Sequence, residues 1–354
     1  MTDIGIASLA DFQPQTVDGS PRTVQLRLDQ IVELAERADR LGLHHIGLGE
    51  HHSDDFVVSS PAVVLSAIAR RTEQIKLTSS VTTLTVHDPV RIYQDFATVD
   101  LLSGGRAEIT VGRSAFVEPF ALFGVDLADY DEMFQEKLDL LLRIRNTERV
   151  TWAGRYRDRL DDAAVTPRAV QTRLPVWVGV GGSPASATRA GQLGLPMILA
   201  YIGGPVDRLV ALRDLYRSAG QDAGHESSLR LGVAVHYFGA DSDAAAAATY
   251  PYYRDFLRPK RPNGSGFLVD RVAFDAGLAP DGHLLVGTSE YVVDKLGRLI
   301  ERVRPDRVQA LVDWGGLPAP AVADSVERLA TEIVPELARS PKTATGPKPV
   351  TAPR

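Results

Sequence analysis

The sequence predicts a single α/β domain, a closed parallel (β/α)8 TIM barrel with insertions at its C-terminal face. Three observations predict it. Short apolar runs alternate with amphipathic helical stretches, which is the signature of parallel strands joined by crossover helices. The alternation reaches eight strands, more than an open doubly wound sheet usually sustains. No linker and no short-period repeat divides residues 1–339, so they read as one domain. Residues 340–354 carry four prolines and no core-forming pattern, and are expected to be a flexible tail.

Residues 4–9 read as the first strand. The spacing of Leu28, Ile31, Val32, Ala35 and Ala38 predicts a helix over 24–41, and Gly42 sits where it should stop. Residues 45–48 are the second strand, 61–71 the second helix and 75–84 the third strand. A helix at 89–102 leads through Ser103-Gly104-Gly105 into a strand at 107–111. The next elements are a helix at 130–144, a strand at 176–180, a helix at 185–193, a strand at 197–201 and a helix at 206–219. A strand at 231–238, helices at 244–257 and 291–303, the eighth strand at 308–312 and a helix at 322–337 complete the pattern. Residues 116–129 and 147–174 break the rhythm as irregular segments. Residues 258–283, rich in Gly, Pro and charge, form a loop of the length that covers a site or is disordered.

Composition narrows the function. The formal net charge is −6 and no basic block stands out, which gives nucleic-acid binding no electrostatic support. With no cysteine there is no disulfide, thiolate metal site or thiol nucleophile. No apolar run approaches the roughly 18 residues that a membrane span needs. The start lacks the features of a signal peptide, so a cytoplasmic, soluble protein is expected.

In a barrel, chemistry gathers just beyond the C-terminal ends of the strands. Four segments qualify. Glu50-His51-His52 follows the second strand and joins proton-exchanging imidazoles to a carboxylate that can set their tautomers, unless these are simply solvated loop residues. The small polar run 79–83 would let a flat ligand approach the backbone, or reflects only the β-propensity of Thr and Val. Arg113 follows Gly112 at a strand end, where it can grip a phosphate or lie on the surface near Glu118. The run 179–186 exposes glycine amides at Gly181 and Gly182, places Ser183 as an N-cap and Pro184 as the first helical residue, and brings Ser186 into the first turn. It reads as a phosphate cradle or as a tight helix–strand turn. Arg113 and the Ser183 amide serving one phosphate is the combination a mononucleotide requires. No HExxH or facial-triad spacing is present, so no metal site is expected, and no GxSxG elbow occurs.

Several motifs together resemble the bacterial luciferase-like flavin monooxygenase superfamily. They are the runs 35–43, Glu50-His51-His52, His87-Asp88-Pro89-Val90-Arg91, 100–106, 194–199 and Val286-Gly287-Thr288. The resemblance covers roughly residues 3–338 and implies a TIM barrel with a flavin at its C-terminal face. It implies that His51 is the catalytic histidine, with Glu50 and His52 lining the same pocket. It places Ser80 and Val81 where the family often has a non-proline cis peptide behind the flavin ring. Arg113, Ser183 and Ser186 fall where the flavin phosphate is held, and 258–283 resembles a mobile loop that closes over the site. Two departures stand out. The luciferase α-subunit has a reactive cysteine where this chain has Gly112, and a glutamate where it has Gly182; both changes suggest a roomier or more neutral site and speak against light emission.

The implied activity is an FMN-dependent monooxygenase that uses reduced FMN from a separate flavin reductase and O2, through a C4a-(hydro)peroxyflavin, to oxidise a small organic substrate. One alternative is hydride transfer with the deazaflavin F420, whose longer anionic tail Arg258, Lys260 and Arg261 would meet. Another is a non-catalytic flavin-binding protein or subunit. A homodimer through the helices near strands two and three is also implied. Phe116, Phe120, Phe123, Tyr201, Tyr237 and Trp314 are candidates for an apolar substrate pocket.

Overall fold

The computed structural model describes residues 2–15, 21–114, 116–259 and 266–339. The tail at 340–354 and Lys260 and Arg261 of the expected loop lie outside the described residues. The barrel staves are β1 (Asp3–Ser8), β2 (His45–Leu48), β3 (Lys76–Ser79, resuming at Thr82–Thr83), β4 (Ala107–Gly112), β5 (Val176–Val180), β6 (Met197–Tyr201), β7 (Leu231–Gly239) and β8 (Arg307–Leu311). Each pairs in parallel with the next, and β8 returns to β1, so the sheet closes. Around it run α1 (Val24–Arg40), α2 (Pro61–Ala69), α3 (Pro89–Ser103), α4 (Tyr130–Asn146), α5 (Pro184–Gln192), α6 (Asp207–Asp222), α7 (Ser289–Val303) and α8 (Ala319–Arg328). The expected TIM barrel is the observed fold.

Short polar side chains start α1, α3, α5 and α7. Thr23 accepts from the Leu26 amide and Asp88 from the Val90 amide, each satisfying a donor the first turn leaves open. At the N-terminal end of the barrel, Asp39 accepts the amides of Glu73, Gln74 and Ile75. Arg106 donates to the carbonyls of Ala69, Thr72 and Ile75. These two motif residues therefore tie α1, α2 and the start of β3 and β4 together, at the opposite end from the expected site.

Strand periodicity decides what fills the lumen. Arg307, Gln309 and Leu311 of β8 stand opposite Gly232, Ala234 and His236 of β7. At the N-terminal end, Arg307 makes a two-pronged ion pair with Glu108 at 2.5 and 3.1 Å, with its guanidinium 4.3 Å from the Trp177 ring. Further up, Ser80 Oγ donates to Gln309 Oε1 at 3.0 Å. A Cβ added to Gly47 would lie 2.5 Å from Gln309 Nε2, so glycine makes room for this polar layer.

Several elements differ from expectation. The third strand is interrupted between Ser79 and Thr82; the Ser80–Val81 peptide within the break is cis, at the position the resemblance implied. The region 147–174 is not wholly irregular, since Arg149–Trp152 and Leu160–Ala164 form an antiparallel hairpin. Residues 116–129 contain a short helix, Glu118–Leu122, and 258–283 contain the helix Arg271–Leu278. The expected helix at 244–257 divides into Asp243–Ala247 and Tyr250–Leu257, where Pro251 opens a new first turn. The last helix passes through a π-helical turn at Leu329–Ile333. Among the described residues, no helix is long and apolar enough to cross a membrane.

Candidate active site

Glu50 and His51 are set by the turn that ends β2. The Gly49 amide donates to the Ser8 carbonyl at 2.9 Å, and the His51 amide to Val58 O at 3.0 Å. A side chain at Gly49 would meet Leu9 at 2.9 Å and the His51 ring at 3.1 Å, so glycine lets the chain fold back sharply. The two consecutive residues then point to different neighbours.

Glu50 turns inward and gathers three donors. Its Oε1 lies 2.9 Å from His52 Nε2 and 2.8 Å from His87 Nε2, and its Oε2 accepts the Thr83 amide at 3.3 Å. Burial by itself would raise this carboxyl, but the hydrogen bonds from His52 and His87 outweigh it and hold it at about 2. The group is an anchored carboxylate at any ordinary pH. Phe123 covers both imidazoles edge-on, at 5.0 Å from His52 and 5.3 Å from His87.

His87 was not singled out as a site residue from the sequence, although its motif carried part of the resemblance. Its place is built from the loop after β3. Lys137 donates to the Thr85 carbonyl at 2.6 Å, and Asp88 and Pro89 start α3 immediately after it. The available signal was its position: a histidine between a strand end and a capped helix start.

His51 stands apart from this group. Its ring stacks on Phe56, centroids 3.8 Å apart, and meets the edge of Phe116 at 5.2 Å. Its Nδ1 is buried without a partner. Burial lowers its pKa to about 4, so the imidazole is neutral near neutrality.

The anion-binding candidates come together on the neighbouring staves. Arg113 Nη2 donates to Ser186 Oγ at 2.9 Å, and its other branch pairs with exposed Asp131. Ser183 accepts from the Ser186 amide as the N-cap of α5. Gly181 has open space where a Cβ would be. Gly182 adopts φ +130°, and the Arg208 guanidinium occupies its Cβ space, with Nη2 only 1.9 Å from that position. The glutamate-to-glycine departure thus admits an arginine that sequence reasoning had missed. Nor does Gly112 leave a void: a Cβ there would lie 2.3 Å from Val81 Cγ2, and one at Gly179 2.7 Å from Val81 Cγ1. Val81 fills the space that the departure at Gly112 was expected to open.

The aromatic candidates separate. Phe116 and Phe123 border the histidines, and Trp314 lies 6.2 Å from lumen-facing His236. Tyr237 does not join them. It occupies the opposite strand parity, and its hydroxyl donates to Ser325 O of α8 at 2.8 Å. Tyr201 likewise falls on the outer parity of β6, since lumen-facing Ala234 pairs with Ala200. In the described part of the 258–283 segment, Arg258 Nε lies 3.9 Å from Asp255 Oδ1.

The donor set fits a flavin phosphate and ring. The Ser183 and Ser186 hydroxyls and the Arg113 guanidinium converge at the start of α5. The barrel mouth also leaves Thr82 Oγ1, Gln309 Nε2 and His51 Nδ1 buried without partners, as expected where a polar planar ligand supplies the missing bonds.

The sequence matches the family described as luciferase-like monooxygenase over residues 2–305. It is 27% identical over 289 residues to limonene 1,2-monooxygenase of Rhodococcus erythropolis, covering 78% of this chain and 72% of that one. It is 22% identical over 335 residues to the oxygenase component of flavin-dependent trigonelline monooxygenase of Acinetobacter baylyi, covering 88% and 90%. The fold matches monooxygenase RslO1 of Streptomyces bottropensis with a TM-score of 0.83 at 22% identity, over 95% of this chain and 99% of that one. It also matches the coenzyme F420-dependent tetrahydromethanopterin reductase of Methanopyrus kandleri, with a TM-score of 0.72 at 19% identity over 95% and 99%.

Proposed function

The chain belongs to the luciferase-like monooxygenases, and from that premise we propose that it is an FMN-dependent oxygenase supplied with reduced FMN by a separate reductase. The observation that carries the reading is a juxtaposition at one end of the barrel. An anion grip, Arg113 with Ser186 at 2.9 Å after β4 and β5, shares the C-terminal end of the barrel with His51 after β2, a neutral imidazole whose Nδ1 has no partner. Arg113, Gly181, Gly182, Ser183 and Ser186 would hold the phosphate, and Ser80 and Val81 would back the ring. Reduced flavin supplies the electrons with which O2 is activated.

The chain's own residues do the rest. His51 accepts or returns a proton at Nδ1, and its low pKa keeps it neutral for that purpose. Glu50 fixes His52 and His87 in position. Phe56, Phe116 and Phe123 line the approach with apolar surface, which excludes water and favours an organic substrate of low polarity. The trigonelline enzyme's description as an oxygenase component supports the two-component arrangement. A homodimer through α2 and α3 belongs to the same reading, supported by the exposure of Val63, Leu101 and Leu102 on those helices.

The test is titration of the purified protein with reduced and oxidised FMN and with F420, followed by aerobic mixing of the reduced complex. Tight binding of reduced FMN, at least about tenfold weaker in Arg113→Ala as the loss of charge-assisted hydrogen bonds requires, with an oxygen-dependent absorbance transient, is the expected outcome. Preference for F420 with no oxygen-dependent transient would replace the proposal with hydride transfer. Binding of neither would leave a non-catalytic protein.

A further inference from the structure

The Glu50, His52 and His87 cluster beside His51 has a second capacity. We propose that Glu50, His52 and His87 form a binding site for one divalent transition ion of the Zn2+ or Co2+ kind, which competes with their role in turnover. Glu50 Oε1 and the two imidazole Nε2 atoms lie within 4.8 Å of one another, and the carboxylate–imidazole separations are 2.9 and 2.8 Å. Small side-chain rotations therefore suffice to aim three ligand atoms at one point.

The donor set selects the ion. Two imidazoles and one carboxylate suit Zn2+ and its first-row neighbours, whereas Mg2+ and Ca2+ require mostly oxygen ligands. Three protein ligands leave at least one position for water. The carboxylate supplies the one anionic ligand and is held in place by three donors. Entry of the ion does displace the Nε2 protons that now point at Glu50. Neither ring's Nδ1 is a sealed atom without a partner, so each ring can carry its proton on that side instead. The Thr83 amide holds Oε2 at 3.3 Å and leaves Oε1 for the ion, which is the orienting contact such sites need.

The spacing of these residues hid the site. Glu50 and His52 are two residues apart at the end of β2, whereas His87 arrives from the loop after β3, 37 residues from Glu50. His51 is adjacent in sequence but its ring stacks on Phe56. Inhibition by the ion rests on the monooxygenase reading, because it removes groups that reading employs; the binding itself does not.

The test uses the full chain without flavin. Titration with Co2+ is followed by visible d–d absorption, which reports coordination directly, and Zn2+ is then added to displace it. The expected result is saturation at one ion per chain. Glu50→Gln and His87→Gln should each weaken binding at least about 100-fold, the upper end of what loss of even an outer-shell partner costs. His44→Ala, which removes a half-exposed histidine paired with Asp3 at the far end of the barrel, should bind as the wild type does. Circular dichroism of each variant checks that it has folded. Absence of saturable absorption, survival of binding in both site variants, or its loss in His44→Ala would each overturn the proposal. Failure of flavin binding would leave the cobalt result standing, so the two readings fail separately.

Discussion

Glu50→Gln removes one charge from a buried, three-donor position and changes almost no volume, so its effect isolates electrostatics. Glu50 is only 7% exposed, and its carboxyl sits at about 2 against an ordinary 4.5. A shift of that size corresponds to about 3 kcal/mol of stability at neutral pH. Its sign follows from the direction. A depressed carboxyl pKa contributes fully above about pH 4.5, and the contribution is lost as pH falls through 2. By pH 3, about half of it should remain. Glutamine keeps a carbonyl to accept from one imidazole, but its amino group must face the Thr83 amide or a second imidazole N–H. The variant should therefore be about 2–3 kcal/mol less stable than wild type at pH 7, with the gap narrowing at pH 3. Urea unfolding at pH 7, 5 and 3 measures this. A difference below about 1 kcal/mol at pH 7, or one that stays constant down to pH 3, would refute the claim that this carboxylate is held ionised by its histidines.

Three other substitutions probe the barrel that carries the site. Gly112→Ala should cost about 1–3 kcal/mol, because the new methyl falls 2.3 Å from Val81 Cγ2; adding Val81→Ala should relieve it, and thermal unfolding of the single and double variants checks both. Glu108→Gln leaves Arg307 as an uncompensated cation in the lumen and should cost about 3–5 kcal/mol in urea unfolding at pH 7. Because burial, the larger opposing effect, is overcome by Arg307 and Lys76, the Glu108 carboxyl is depressed, so that penalty should shrink as acid protonates it. His236→Phe replaces a buried ring whose two nitrogens have no partner and which packs on Tyr253, Phe256 and Trp314; it should raise stability by about 1–3 kcal/mol. Burial lowers His236 to about 3, so wild-type stability should decline as pH falls from 6.5 toward that value, and the variant should lose this slope in acid unfolding curves.

The strand–helix alternation, the eight staves and the closed barrel were legible in the sequence, because hydrophobic periodicity is written in neighbours a few residues apart. Arg113, Ser183 and Ser186 could also be brought to one place on paper, since barrel geometry puts successive strand ends side by side. Other features depended on contacts between distant residues. Glu50-His51-His52 reads as one cluster, yet the tight turn at Gly49 sends His51 onto Phe56 and Glu50 toward His52 and His87. Glycines at 112 and 182 read as vacancies, but Val81 and Arg208 fill them from other elements. Tyr237 belonged to the right strand and faced the wrong side, because a period of two puts every second side chain against the outer helices. Local periodicity determines which elements form and in what order, whereas the direction of a loop side chain is set by whichever remote group satisfies its charge or fills its space. That information resides in the tertiary structure alone.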